Sequence, residues 1–302
     1  MVVQAPGPLA PDLLTALCAI RGVYIAQSKE WFASLVGYEQ GKKYKIAAYD
    51  AFAGEKNAAH GICSEDLFRL IERSECCERQ ICGAARSFQM GMVSVTPRIG
   101  TTIQWGEKNP AIMNGPDTVV FDRPFKCTFM CFARPIMHVR HNAFGYIGEL
   151  FCPFSCNPCN FNFEIIARAP TQALLRSGDG HPPPKISDAI TRPGEPWYRL
   201  VASCCQFGLW FMPIPFCGCD RITFNIYAYG DVSHTIILGK LQRVHPGCLN
   251  QCIDANVDNF VIEFPESANA LQRATLTAAA IFIDFLYFEK EEKEGGALSA
   301  AI

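Results

Sequence analysis

Catalytic signatures are missing from this chain. It has no Gly-x-Ser-x-Gly elbow, no Gly-x-x-x-x-Gly-Lys phosphate loop and no His-Glu-x-x-His pair. Hydrolase, nucleotide and zinc-protease chemistry of the usual kinds therefore has no carrier. Histidine is sparse: the six residues, at 60, 138, 141, 181, 234 and 245, are scattered. His138 and His141 read as surface residues straddling a strand end rather than as ligands. Charge is also in short supply. The net value is −2 with lysine and arginine dispersed, so no nucleic acid is expected as partner, because that class needs a concentrated basic face. The N-terminus lacks the positively charged start and small-residue cleavage site of a secretory signal. Val2 stands where a myristoylated chain has Gly, and the last residues are Ala301 and Ile302, so no lipidation signal of those kinds is expected. The expected compartment is the cytosol.

Cysteine, by contrast, is abundant. Sixteen cysteines in 302 residues read, in a reducing compartment, as thiols, acylation sites or metal ligands and not as a disulfide framework. Length alone permits two domains, although single β-barrels reach this size.

One stretch organises the rest. Residues 271–288, LQRATLTAAAIFIDFLYF, hold no Gly or Pro and, past Arg273, only one charge, Asp284. The composition predicts a helix. Ala274, Ile281, Phe282, Ile283, Phe285 and Phe288 do not keep to one face, so the helix must be wrapped in protein or in lipid. At 1.5 Å per residue it is roughly 27 Å long. Its uninterrupted apolar part falls short of the about 20 residues that cross a bilayer comfortably, and a mid-helix Asp opposes insertion. A core helix is the favoured reading, and a membrane anchor stands as the alternative.

Upstream, short strand-like runs recur. Residues 44–49, 88–95, 119–129, 144–151, 161–167, 200–211, 221–229, 236–244 and 259–264 all read as strands, with Pro124 placing its run on an edge or at a bulge. In 221–229, Ile222, Phe224, Ile226 and Ala228 share one face. A short helix is expected over 65–73. Many strands with one late helix predict a mainly β fold, a closed or nearly closed antiparallel sheet with the helix inside. Residues 1–11 form a flexible lead, 12–290 the folded domain with a long loop insertion at 169–196, and 291–302 an acidic, disordered tail.

Several segments, in order, resemble the phospholipid scramblase family. They are Cys76-Cys77 ahead of Cys82-Gly83 and Arg86-Ser87-Phe88; Arg123-Pro124-Phe125-Lys126-Cys127; the Gly145-Tyr146-Ile147-Gly148 turn; and Cys217-Gly218-Cys219-Asp220 running into Ile222-Thr223-Phe224-Asn225-Ile226. Gly239-Lys240-Leu241, Asp258-Asn259-Phe260 leading to Phe264-Pro265, and Ile283-Asp284-Phe285 ending in Phe288-Glu289 complete the set. The resemblance covers about 13–290. It implies a tubby-like barrel of about 12 strands around the C-terminal hydrophobic helix. It also implies calcium-dependent, ATP-independent movement of phospholipids between leaflets, palmitoylation, and attachment to the cytosolic face of the plasma membrane. A phospholipid membrane is the expected partner, with protein partners as a second class. The other functional reading is a tubby-like adaptor that binds lipid or protein and transports nothing.

The site residues follow, each with two readings. The family's calcium segment corresponds to 256–267; Asp258, Asn259, Glu263 and Glu266 within it, with Asp254 just before it, supply oxygens for Ca2+. An EF-hand loop needs Gly sixth and Glu twelfth; Val261 and Ser267 stand there, and the alternation Phe260, Ile262, Phe264 reads as an ordinary strand. Cys127 and Cys131 supply two acyl attachment points, the number a stable anchor needs, or are small buried hydrophobes. Zinc is not expected, because Cys156-Asn157-Pro158-Cys159 is a single Cys-x-x-Cys pair and structural zinc usually shows two. The turn 210–216 either touches lipid through Trp210 or packs in the core.

Overall fold

Alternation along the strands decides what is inside. In the computed structural model, Ile222, Phe224 and Ile226 are buried while Thr223 and Asn225 are partly exposed. The same two-residue period holds Val23 and Ile25, Tyr44 and Ile46, and Phe68 and Leu70 in one interior. The structure describes residues 12–28, 42–50, 66–73, 87–95, 115–125, 134–153, 162–170, 194–203, 206, 221–244 and 259–288.

Among them are twelve strands: β1 (Gly22–Ser28), β2 (Lys43–Tyr49), β3 (Phe68–Arg73), β4 (Phe88–Ser94), β5 (Val119–Arg123), β6 (Ile136–His141), β7 (Gly145–Phe151), β8 (Asn162–Arg168), β9 (Pro196–Ser203), β10 (Arg221–Ala228), β11 (Gly239–Val244) and β12 (Asn259–Glu263). Each pairs antiparallel with its sequence neighbours, and β1 also pairs with β12, closing the barrel. Gly22 is opposite both Glu263 and Tyr49 at this seam. A closed barrel leaves no strand edge unpaired, so the expected edge position at Pro124 does not arise; β5 ends at Arg123, one residue earlier.

A short helix, α1 (Leu13–Ala19), precedes β1; its seven residues carry no period that separates helix from strand. Asp12 caps it by accepting from the Thr15 N–H. The helix expected over 65–73 is instead β3, whose alternating burial fits a strand. The Gly145-Tyr146-Ile147-Gly148 segment is not a turn but the start of β7.

The long helix runs through the interior. α2 (Ala270–Ile283) begins with a capping box, the Asn269 side chain accepting from the Gln272 N–H and Gln272 answering the Asn269 N–H. It continues as a π-helical turn, Asp284–Phe288. Every residue from Ala274 to Phe285 is buried, which answers why the segment is apolar on all sides. Each buried Phe, Ile or Leu stabilises by about 1.5–3 kcal/mol. The two buried hydroxyls, Thr275 and Thr277, donate to the carbonyls of Leu271 and Arg273, so neither costs an unmade hydrogen bond. Gly148 permits a close approach of sheet to helix: a Cβ there would meet Thr275 Oγ1 at 2.0 Å. By length and composition, Ala270–Phe288 also qualifies to cross a membrane; here it is mostly sheathed by the barrel.

The barrel has two rims. The near rim, where α2 enters, carries Gly22, Tyr49, His141, Gly145, Gly239 and Glu263. The far rim, where the π-helical turn lies, carries the other ends of the strands.

Candidate functional site

Charge meets the apolar helix at the far rim. Asp284 is fully buried, and its Oδ2 accepts from Lys42 Nζ at 2.7 Å and from the Tyr44 hydroxyl at 2.7 Å. Burial pushes the Asp284 carboxyl up; the Lys42 ammonium, the two hydrogen bonds and the Arg243 charge outweigh it and hold the group below the usual carboxylate range. Aromatic rings complete the surroundings. Phe285 stacks on Phe88 with centroids 4.1 Å apart. Lys42 Nζ lies 4.7 Å from the Phe285 centroid, and the Arg243 guanidinium 3.8 Å from that of Phe288. The Arg123 guanidinium lies 5.8 Å from Phe88 and 5.9 Å from Phe285.

These cations are missed when only Asp284 is singled out, yet a signal exists. Lys42 has the parity of Tyr44 and Ile46, Arg123 that of Val119 and Phe121, and Arg243 that of Leu241, all interior positions. Glu72 shares the parity of Phe68 and Leu70, is buried, and accepts from the Lys42 backbone N–H at 2.7 Å. A charge at a core-parity position at a strand end points inward, and burial then demands a partner. The arrangement holds the helix end electrostatically. It contains no nucleophile aligned with a base.

Further round the far rim, the Cys152 Sγ accepts from Arg134 at 3.1 Å and lies 3.8 Å from the Tyr287 hydroxyl. Burial and then the neighbouring Cys152 push the Tyr287 phenol well above its ordinary value. Cys127, Cys131, Cys156, Cys159 and the 210–216 turn lie outside the described residues. The strand ends that flank Cys127 and Cys131, Arg123 and Ile136, are at the far rim.

On the outer face, Asp122, His138, Glu149 and Arg168 form a row across β5 to β8 in register. Glu149 is buried, bonded by Arg168 and 3.2 Å from His138 Nδ1. Burial raises Asp122, against His138, Gln89 and Arg140. The expectation for His138 and His141 needs correction: both lie within β6, and His141 is buried, its ring stacked on Phe144.

The proposed calcium residues that are described, Asn259, Glu263 and Glu266, do not form one cluster. Asp254 and Asp258 lie outside the described residues. Asn259 and Glu263 are four residues apart on β12, roughly 13 Å at strand rise, farther apart than the about 5 Å that separates opposite ligands of one ion. Glu263 and Glu266 line a near-rim cavity of ≈ 400 Å³ with Arg21, Tyr49, Asp50 and Arg273. Among the described residues no three His, Cys, Asp or Glu side chains converge as a metal site, and no step is assigned to calcium. The helix residues Ala274, Ile281, Phe282, Ile283, Asp284, Phe285 and Phe288 all lie in the barrel interior.

The fold and site define a class: an antiparallel barrel closed around an apolar helix of bilayer-spanning length, pinned by a buried ion pair. The chain belongs to the Scramblase family, whose model matches residues 2–103 and 191–290. Among curated relatives it is 23% identical to phospholipid scramblase 2 of Bos taurus over 298 residues, 96% of this chain and 77% of that protein. It is 24% identical to phospholipid scramblase 1 of Mus musculus over 301 residues, covering 97% and 70%. With phospholipid scramblase 1 of Homo sapiens the identity is 22% over 294 residues, covering 94% and 70%. No solved structure matches the chain significantly. Family membership makes this a membrane-associated, lipid-handling protein.

Proposed function

We propose that the protein moves phospholipids between bilayer leaflets in both directions, without ATP and with calcium as activator, at the cytosolic face of the plasma membrane. The observation that carries this reading is the match to phospholipid scramblases along nearly the whole chain. The movement involves no covalent step. Its barrier is the transfer of a polar headgroup through hydrocarbon, where unsatisfied polar groups cost several kcal/mol each. Asp284 is engaged by Lys42 and Tyr44, so its role in this proposal is to retain the helix rather than to line a lipid path.

A second reading is a lipid- or protein-binding adaptor, and one observation favours it: the helix that would span a membrane is enclosed by the barrel. The test is purified full-length chain in vesicles holding fluorescent phospholipid, with a membrane-impermeant quencher added outside. Transport predicts quenching beyond the outer-leaflet share without ATP, only when calcium is added. Quenching confined to the outer leaflet in every condition overturns transport and leaves the adaptor.

A further inference from the structure

Among the described residues, two near-rim connections carry exposed large apolar side chains. Among the described residues the exposed large hydrophobics are Val232 (71%), Ile236 (65%), Ile237 (48%), Phe144 (65%) and Phe125 (49%). The first three crowd the hairpin that joins β10 to β11, and Phe144 sits in the turn that joins β6 to β7. Both connections are at the near rim. Phe125 adjoins the far rim, whose strand connections lie mostly outside the described residues. Solvated aliphatics gathered on one face mark an interaction surface.

The β10–β11 hairpin is pre-shaped. The Asp231 carboxylate accepts from the backbone N–H groups of Thr235 and Ile236, each at 2.9 Å, and from the Thr235 hydroxyl. The Asp231 N–H donates to Ala228 O and the His234 N–H to Asp231 O. His234 takes a positive φ of 53°, and its ring lies 4.8 Å from that of Tyr227. The hairpin's one carboxylate is thus directed at its own backbone while the aliphatic side chains face outward. Behind the tip lie aromatics: the Tyr229 N–H donates to Trp197 O, and the Arg199 guanidinium sits 4.5 Å from the Tyr229 ring centroid. Aliphatic tip first, then Tyr, Trp and Arg, is the order in which side chains partition from hydrocarbon to headgroup.

We propose that the near rim is a membrane-docking surface, with Val232, Ile236 and Ile237 entering the acyl boundary of a phospholipid bilayer and Phe144 touching it alongside. A convex, fixed tip suits a fluid partner that closes around it, and its ordering entropy is already lost before binding. The inference rests on the membrane association that the family implies, not on transport. It also sets the barrel axis. Acyl chains on Cys127 and Cys131 would draw the far rim to the bilayer instead.

The test uses unacylated full-length protein and phosphatidylcholine vesicles with and without phosphatidylserine. Replacing the three residues together (V232S/I236S/I237S) lowers vesicle partitioning about tenfold or more, with unchanged melting temperature and unchanged mass in solution. An F125S variant at the far rim binds as the parent does. In a complementary variant, I236W, the added tryptophan shifts to shorter wavelength on vesicles and is quenched by lipids brominated on their acyl chains. Docking is overturned by parent-like binding of the triple variant, by no quenching in I236W, or by loss of binding in F125S alone. A change of mass in the triple variant without any lipid quenching in I236W also overturns it, and assigns the tip to a second copy of the chain. If I236W is quenched but no phospholipid crosses between leaflets, docking stands and transport falls.

Discussion

Lys42 and Asp284 are 242 residues apart in sequence, and their side chains meet at 2.7 Å inside the barrel. One lies immediately before β2 and the other is the first residue of the π-helical turn, so the pair fastens the last described element to one of the first. Removing a single partner leaves an uncompensated buried charge. Lys42→Met or Asp284→Leu should each destabilise by about 3–5 kcal/mol, and the double variant should recover most of the loss. Denaturant titration of the four proteins checks this; equal losses in the double and single variants would mean that the pair is not coupled.

The same carboxylate shapes the acid limb of the stability curve. Its folded-state value is depressed, so the unfolded chain binds the proton more readily. The contribution is therefore fully present above the unfolded value of about 3.9 and disappears as pH falls through the lower folded one. Below about pH 4, Asp284→Asn should show a shallower fall of melting temperature than the parent. A parallel fall in both proteins would contradict the assignment.

Gly148→Ala places a methyl group 2.0 Å from Thr275 Oγ1. Thr275 is buried and β-branched, with little room to turn, so a loss of about 1–3 kcal/mol is expected. Adding Thr275→Ala removes the nearest atom and should restore part of it. Thermal melts of the single and double variants report the outcome.

Arg273 ties α1 to α2. Its guanidinium donates to the carbonyls of Leu17, Cys18 and Ile20, the backbone acceptors that the end of α1 leaves unpaired. Arg273→Lys should free residues 13–19 for amide exchange while β1 to β12 stay protected, because a lysine cannot reproduce the fork. Unchanged exchange of that segment would show that α1 is held by its buried leucines alone.

Thiol access separates two cysteines. Cys18 is exposed and Cys152 buried, the latter bonded by Arg134. Native-state alkylation followed by peptide mass mapping should modify Cys18 quickly and Cys152 only on unfolding. Equal rates would place Cys152 in solvent.

The mainly β class and the position and enclosure of α2 were legible because periods of two along Arg221–Ala228 and apolarity on every side of Ala274–Phe285 are local properties. So was the family, through ordered segments. The short α1 was not, since seven residues of LLTALCA carry no period that distinguishes helix from strand. The segment read as a helix at 65–73 became β3 because pairing with β2 and β4 outweighs weak helical propensity.

The order of residues along the chain is enough to show which of them require enclosure: a helix with no polar face, and strands with one apolar side. Which charges share that enclosure emerges only from the folded barrel. Glu72, Arg123 and Arg243 lie on three different strands and Lys42 just before a fourth, and no spacing along the chain relates them to Asp284. The closing of β1 against β12 fixes their register and turns their side chains inward at one rim. Asp284 is tolerable in the core because Lys42 and Tyr44 reach it there, a pairing that exists only once the barrel is complete.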